Sequence, residues 1–344
     1  MTSPATPTSP QPAGKSSAGW VVSPAFDLLF LANIAWPLLP LAAVAASGFV
    51  RDDGRLQTEF WALYFLITPH RWITLFLVAA DRDRREGRGK LFAAIAGVVA
   101  LLVGGVWAVT GSLTCLLLID YVWNSWHFAS QHQGVLRMYA KKAGGGPEWL
   151  ERHALRAFVV YTLLRTAGWT TGWLEADPYL KAWLNAVDLV LLAVPGAVLV
   201  VNLMGVRRVR IGKLCYLVSL LTLYAGLLFC LRNDWRTGVF AMTAASSTFH
   251  AVEYLAVVSH YADRRKAVGS AGMFRELAKQ WLTVFATYLV VLGLIGVWVD
   301  KTGGWVVQAW MAVNVWSAFL HYTYDGFIWK LRKPATAQAL GVPS

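Results

Sequence analysis

The chain has 344 residues, 57% of them hydrophobic, with 18 Trp and a mean hydropathy of +0.48, too apolar for a soluble domain of ordinary charge content. Its formal net charge of +12 does not point to nucleic acid, because the lysines and arginines gather in short segments between apolar runs and no nucleic-acid motif accompanies them. The 3 Cys (Cys115, Cys215 and Cys230) lie inside apolar runs without metal or redox spacing and read as packing residues.

Residues 1–22, rich in Pro, Ser, Thr and Ala, read as a disordered cytoplasmic tail, and they lack the apolar core of a signal peptide. Residues 23–333 form the transmembrane domain, and 334–344 a short C-terminal tail. A crossing helix needs about 20 mostly apolar residues. By that measure the candidates are 26–47, 60–80, 91–110, 113–136, 154–174, 183–204, 214–231, 239–260, 281–299 and 305–329. The expected fold is an all-α, polytopic membrane helix bundle of about ten transmembrane helices.

Loop charge tests that count. Cations concentrate after even-numbered spans, in segments 82–90, 137–156, 207–213, 264–279 and 330–333. After odd-numbered spans stand only Arg51, Arg55, Lys181, Arg232, Arg236 and Lys301. The asymmetry places both termini in the cytoplasm and makes the chain an integral membrane protein. The basic, partly amphipathic segment 266–280 is expected on the inner membrane surface.

Six of the 7 histidines fall on even-numbered spans. Counted back from the first cytoplasmic residue of each span, His70, His127, His250 and His321 sit at similar depth, roughly 14–20 Å from the inner boundary at about 1.5 Å per residue. Each shares a helix face with other polar groups. On span four, Asp120, Asn124, His127 and Gln131 form one stripe, with His132 well off it; on span eight, Thr243, Ser246, His250, Glu253 and His260 do, and on span ten, Asn314, Ser317, His321 and Asp325. Such stripes must face protein or a cavity, since ionisable groups against lipid are costly.

Imidazoles from four helices at one depth point to a metal centre of Fe, Cu or Zn with His70, His127, His250 and His321 as ligands. Glu253 and Asp325 are placed to orient imidazoles or relay protons, and Asp120, Asn124, Gln131 and Tyr254 to support the cofactor. Pro69 can loosen the helix beside His70, while Arg71 either neutralises Glu253 or Asp120 or binds an anionic part of a substrate. His153, at a loop edge, reads as ordinary.

The motif "TPHRW" around His70, with four histidines on separate spans, resembles the Brp/Blh family of membrane β-carotene-cleaving oxygenases. That resemblance implies a multi-span protein holding non-haem iron with four histidines. The family's Gly and Asp after Pro-His are absent here, and its paired histidines on a late helix are replaced by "FHAVEYLAVVSH". "WHFASQHQG", "FHAVEYLAVV" and "HYTYDGFIWKLR" also resemble uncharacterised bacterial membrane proteins, which implies a bacterial cytoplasmic (inner) membrane. The HxxxH and HxxHH boxes of membrane desaturases are absent.

Three functions follow. The first is a metal-dependent oxidoreductase, a non-haem iron oxygenase using dioxygen on a lipophilic substrate, with room for a redox partner at the cytoplasmic face. The second is electron transfer through haem. The third is a proton-coupled transporter without metal.

Overall fold

A computed structural model describes residues 19–47, 60–85, 87–171, 177–204, 211–268 and 273–343. Among these the fold is all-helical and has no strand. The principal helices are α1 (Leu38–Ser47), α2 (Phe60–Ala80), α3 (Gly89–Thr110), α4 (Thr114–Ala143), α5 (Glu148–Thr171), α6 (Pro178–Met204), α7 (Ile211–Arg232), α8 (Arg236–Val268), α9 (Trp281–Thr302) and α10 (Gly304–Ile328). Four of them, α3, α6, α7 and α9, are long and apolar enough to cross a membrane, which makes this a membrane protein.

Burial separates these four. The apolar window of α7 is 56% buried, against 11% for α3 and 22% for α6 and α9. Thus α7 is the most enclosed of the four, with Tyr216, Leu217, Leu220, Tyr224 and Leu228 inside the main core. The outer three turn Leu101, Val109, Val190, Leu282 and Leu294 outward, as helices facing lipid do.

The expected first span, 26–47, is not one helix. A turn at Pro24–Phe26 runs into a π-helical turn, Asp27–Leu31, and helix resumes only at Leu38. The cause is local. Asp27 is buried and its carboxylate accepts from the Val21 and Val22 amides at 2.6 and 3.0 Å, which folds the chain back. Asn33 then takes a positive φ of 51°, a conformation Asn tolerates, and its side chain donates to the Phe249 carbonyl of α8 at 3.0 Å.

Parts of both expected tails pack on the bundle. Residues 1–18 lie outside the described residues, but Trp20 and Val21 are buried. At the other end Pro334–Ala339 is a short helix, and Ala337, Leu340 and Val342 are buried in the core. Lys141 donates to the Pro343 carbonyl at 2.8 Å and His260 Nε2 contacts the Leu340 carbonyl at 3.2 Å. Of the segment 266–280, residues 269–272 lie outside the described residues. Met273–Lys279 is a helix that buries Phe274 and Ala278 and exposes Arg275, Glu276 and Lys279.

Polar residues inside the spans pair across helices. Arg165 of α5 is 3% exposed and faces Asp188 of α6 at 3.5 Å, and Asp188 also accepts from Tyr161 at 2.6 Å. Glu151 of α5 pairs with Lys213 of α7. At the middle of the fold, α2 packs on α8 and α10, and α4 packs on the same two. These four helices close a ring, and each brings one histidine to its centre.

Candidate metal centre

The histidine rings repeat the order of the helices that carry them. Ring centroids are 4.9 Å apart for His70 and His250, 5.1 Å for His250 and His127, 4.5 Å for His127 and His321, and 5.0 Å for His321 and His70. All four pairs meet edge to face, and all four side chains are buried. Ligand atoms of His70, His250 and His321 lie within 4.8 Å of one another, and the same holds for His127, His321 and Asp325. This is a cluster that could hold a metal ion.

A second observation fits an ion. Nε2 of His127, both nitrogens of His250 and Nε2 of His321 are buried without a hydrogen-bond partner among the described residues. Leaving buried polar atoms unmatched costs roughly 1–3 kcal/mol each, and an ion held between these neighbouring rings would satisfy several of them at once. Neutral imidazole nitrogens with bare lone pairs are ligands for Fe, Cu and Zn.

The surroundings of His321 set which nitrogen faces inward. Thr74, one turn after His70 on α2, places Oγ1 2.7 Å from His321 Nδ1 and 3.0 Å from Asp325 Oδ1, and it also touches the Tyr254 hydroxyl. With its proton given to the Asp325 carboxylate, Thr74 accepts from Nδ1–H, which leaves the Nε2 lone pair bare. Tyr254 donates to Asp325 at 2.9 Å, and Trp329 Nε1 donates to Tyr254 at 3.2 Å. Phe128 stacks on His250 at 3.7 Å and fixes that ring's plane. Thr74→Val keeps the shape but removes the acceptor. It is expected to lower metal affinity about 10–100-fold, the usual loss for a residue that orients a ligand, as read by competition with a chelator.

Glu253 serves a different histidine from those expected. It is fully buried and accepts from Tyr216 at 2.6 Å and Gln131 at 2.7 Å, with His132 Nδ1 at 2.9 Å. His132 Nε2 meets the Tyr224 hydroxyl at 3.0 Å. His132, off the polar stripe of α4, is nevertheless fully buried, because α7 covers that side of the helix as well. Its ring lies 5.8 Å from His250, and ligand atoms of His132, His250 and Glu253 lie within 4.8 Å of one another, so the Glu253 network meets the four rings at His250. Gln131 also donates to the His250 carbonyl at 2.9 Å.

Arg71 faces Asp120 at 4.0 Å. The Tyr322 hydroxyl, with one proton to give, lies 2.9 Å from Asp120 Oδ1 and 3.0 Å from Asn124 Oδ1, and its ring lies 4.8 Å from His127, so this polar set stands one residue behind the histidines. Thr243, Ser246, Asn314 and Ser317, though on the expected faces, bond to carbonyls of their own helices. Pro69 leaves α2 continuous, and Tyr288 of α9 donates to its carbonyl at 2.7 Å. His260 meets the C-terminal segment and His153 lies against Trp149.

Beside the centre is a cavity of about 730 Å³ whose inner end is formed by His127, Tyr254, Tyr322 and Asp325. No family model, curated protein or solved structure matches the chain.

Proposed function

We propose that the chain is a membrane metal-dependent oxidoreductase, a non-haem iron oxygenase in which His70, His127, His250 and His321 hold the ion and a lipophilic molecule is the substrate. The observation that carries it is the closed ring of four buried imidazoles, in which Nε2 of His127, both nitrogens of His250 and Nε2 of His321 have no hydrogen-bond partner among the described residues. Imidazole donors suit iron, copper and zinc, and the resemblance to the Brp/Blh family favours iron. Neighbouring rings in edge-to-face contact, with centroids 4.5–5.1 Å apart, favour a bare ion over haem. An iron ion in this position supplies one-electron and dioxygen chemistry.

The protein's own groups supply the rest. Thr74 fixes the tautomer of His321, and Phe128 holds His250 in plane. Asp325 is the carboxylate within reach of both His321 and the cavity, so it is assigned to holding or passing a proton there; Tyr254 shares that proton path. Arg71, with Asp120, Asn124 and Tyr322, sets the charge beside His127. Glu253, saturated with donors, holds His132 against α7. In the same proposal the bundle spans a bacterial cytoplasmic membrane with its cation-rich segments at the cytoplasmic face, as the loop charges favour, and a redox partner docks at that face.

Elemental analysis and an absorbance spectrum of the detergent-purified protein test this reading. About one iron per chain without a Soret band is the expected result. A Soret band favours electron transfer through haem, and metal-free protein that still moves a solute favours transport.

A further inference from the structure

The cavity that ends at His127 has a second, very different end. Along α4 its wall runs through Gln131, Gly134 and Met138 to Lys141, one continuous helix face. From His127 to Arg137 is about 15 Å at 1.5 Å per residue, half of a hydrocarbon core ~30 Å thick and therefore the reach of one leaflet's acyl chain. Trp123, Trp126 and Val257 are among the apolar side chains of the wall.

At the far end stand Arg137, Lys141, Arg152, Arg156, Lys330 and Arg332, with Glu148 as the one carboxylate among them. Arg137 is engaged by Glu148 at 2.6 Å, Lys141 by the Pro343 carbonyl, and Arg156 by Gln133 at 3.1 Å and the face of Trp126. Arg152, Lys330 and Arg332 form no ion pair with a carboxylate among the described residues. Ordinary loop cations at a cytoplasmic edge are spread over the surface. These six, contributed by α4, α5 and the chain just after α10, line the same cavity as His127 and Asp325.

We infer that the cavity binds an anionic amphiphile, a single long apolar chain with a carboxylate or phosphate head, with the head on the cationic rim and the chain directed to the histidine centre. The inference rests on the proposed function and names its substrate class. Guanidinium groups recognise either head through charge-assisted hydrogen bonds, and Trp123, Trp126, Met138 and Val257 give the chain apolar contact along the path.

Quenching of tryptophan fluorescence in uncharged detergent tests this, because Trp123 and Trp126 line the path. The probes are dibromostearate, its alcohol analogue and inorganic phosphate as competitor. Saturable quenching by dibromostearate is expected at concentrations about ten-fold below the alcohol, reflecting the charge-assisted contacts of the head. Arg152→Glu with Arg332→Glu is expected to raise the midpoint by at least about ten-fold. Arg275→Glu, exposed on the short helix Met273–Lys279 and outside the cavity, is expected to leave it unchanged. Equal quenching by acid and alcohol, or displacement by phosphate at concentrations comparable to the amphiphile, overturns the inference on the unmodified protein alone. Run beside elemental analysis of the same purified protein, the assay also separates the two readings. Retained quenching without a metal site rejects the oxygenase, whereas a metal site without selective quenching rejects the amphiphile.

Discussion

His127→Ala and His321→Ala, each made singly in the full chain, are expected to leave the protein inserted and monodisperse while its metal content falls below about a tenth of the wild-type value. Each histidine touches two others in the ring, so removing one opens the ring and takes away a donor that no neighbour can replace. His321 is the sharper case. Its Nδ1 is held by Thr74, which makes Nε2 a pre-oriented donor, and preorganisation is lost together with the ligand. His153→Ala is the control, since that ring lies exposed against Trp149, and it is expected to keep full metal. Metal analysis of the three purified variants decides. Full metal in both His127→Ala and His321→Ala removes the proposed ligand set.

Asp188→Ala is expected to destabilise the protein by about 3–5 kcal/mol, the range for breaking a buried ion pair from one side. The reason is what remains. Arg165 would keep its charge at 3% exposure, with Asn185 Oδ1 at 3.2 Å as its surviving neutral acceptor, and Tyr161 would be left with the longer contact to the Leu184 carbonyl at 3.4 Å. Arg165→Met combined with Asp188→Leu is expected to recover most of that loss, because apolar side chains of similar size need no partner. Thermal unfolding in detergent reads both. A single Asp188→Ala as stable as the wild type would mean that the pair is wetter than its burial indicates.

The helices and the four-histidine cluster were legible in the sequence for one reason. A polar stripe on an apolar helix announces both the helix and the face that must turn inward; His127, His250 and His321 lie on such stripes, and His70 lies at matching depth. Thr74 was within reach of the same logic, four residues after His70, but a lone threonine on an apolar helix is ordinarily satisfied by its own carbonyls. His132 was not legible. Stripe reasoning allows a helix one buried face, whereas α4 is covered by α7 on a second side, and only the tertiary packing supplies Tyr216 and Tyr224 as partners for Glu253 and His132. The break in the first expected span was hidden for a related reason. Hydropathy sees Leu28 to Leu41 as continuous oil, while Asp27 and Asn33 set the backbone through hydrogen bonds that hydropathy does not register.

The cavity rim shows the opposite limit. Its cations were counted as topology signals, and in that role they needed no structure. Their convergence on the space beside His127 depends on α5 folding back against α4 and on the chain turning after α10, contacts far apart in sequence.

X-ray absorption at the metal edge of the purified wild-type protein tests the central claim most directly. The result the account predicts is nitrogen scattering at about 2.0–2.1 Å, the usual distance from a metal to imidazole, with outer-shell features of four histidine rings. Sulfur in the first shell, a porphyrin signature, or fewer than three imidazoles would contradict it.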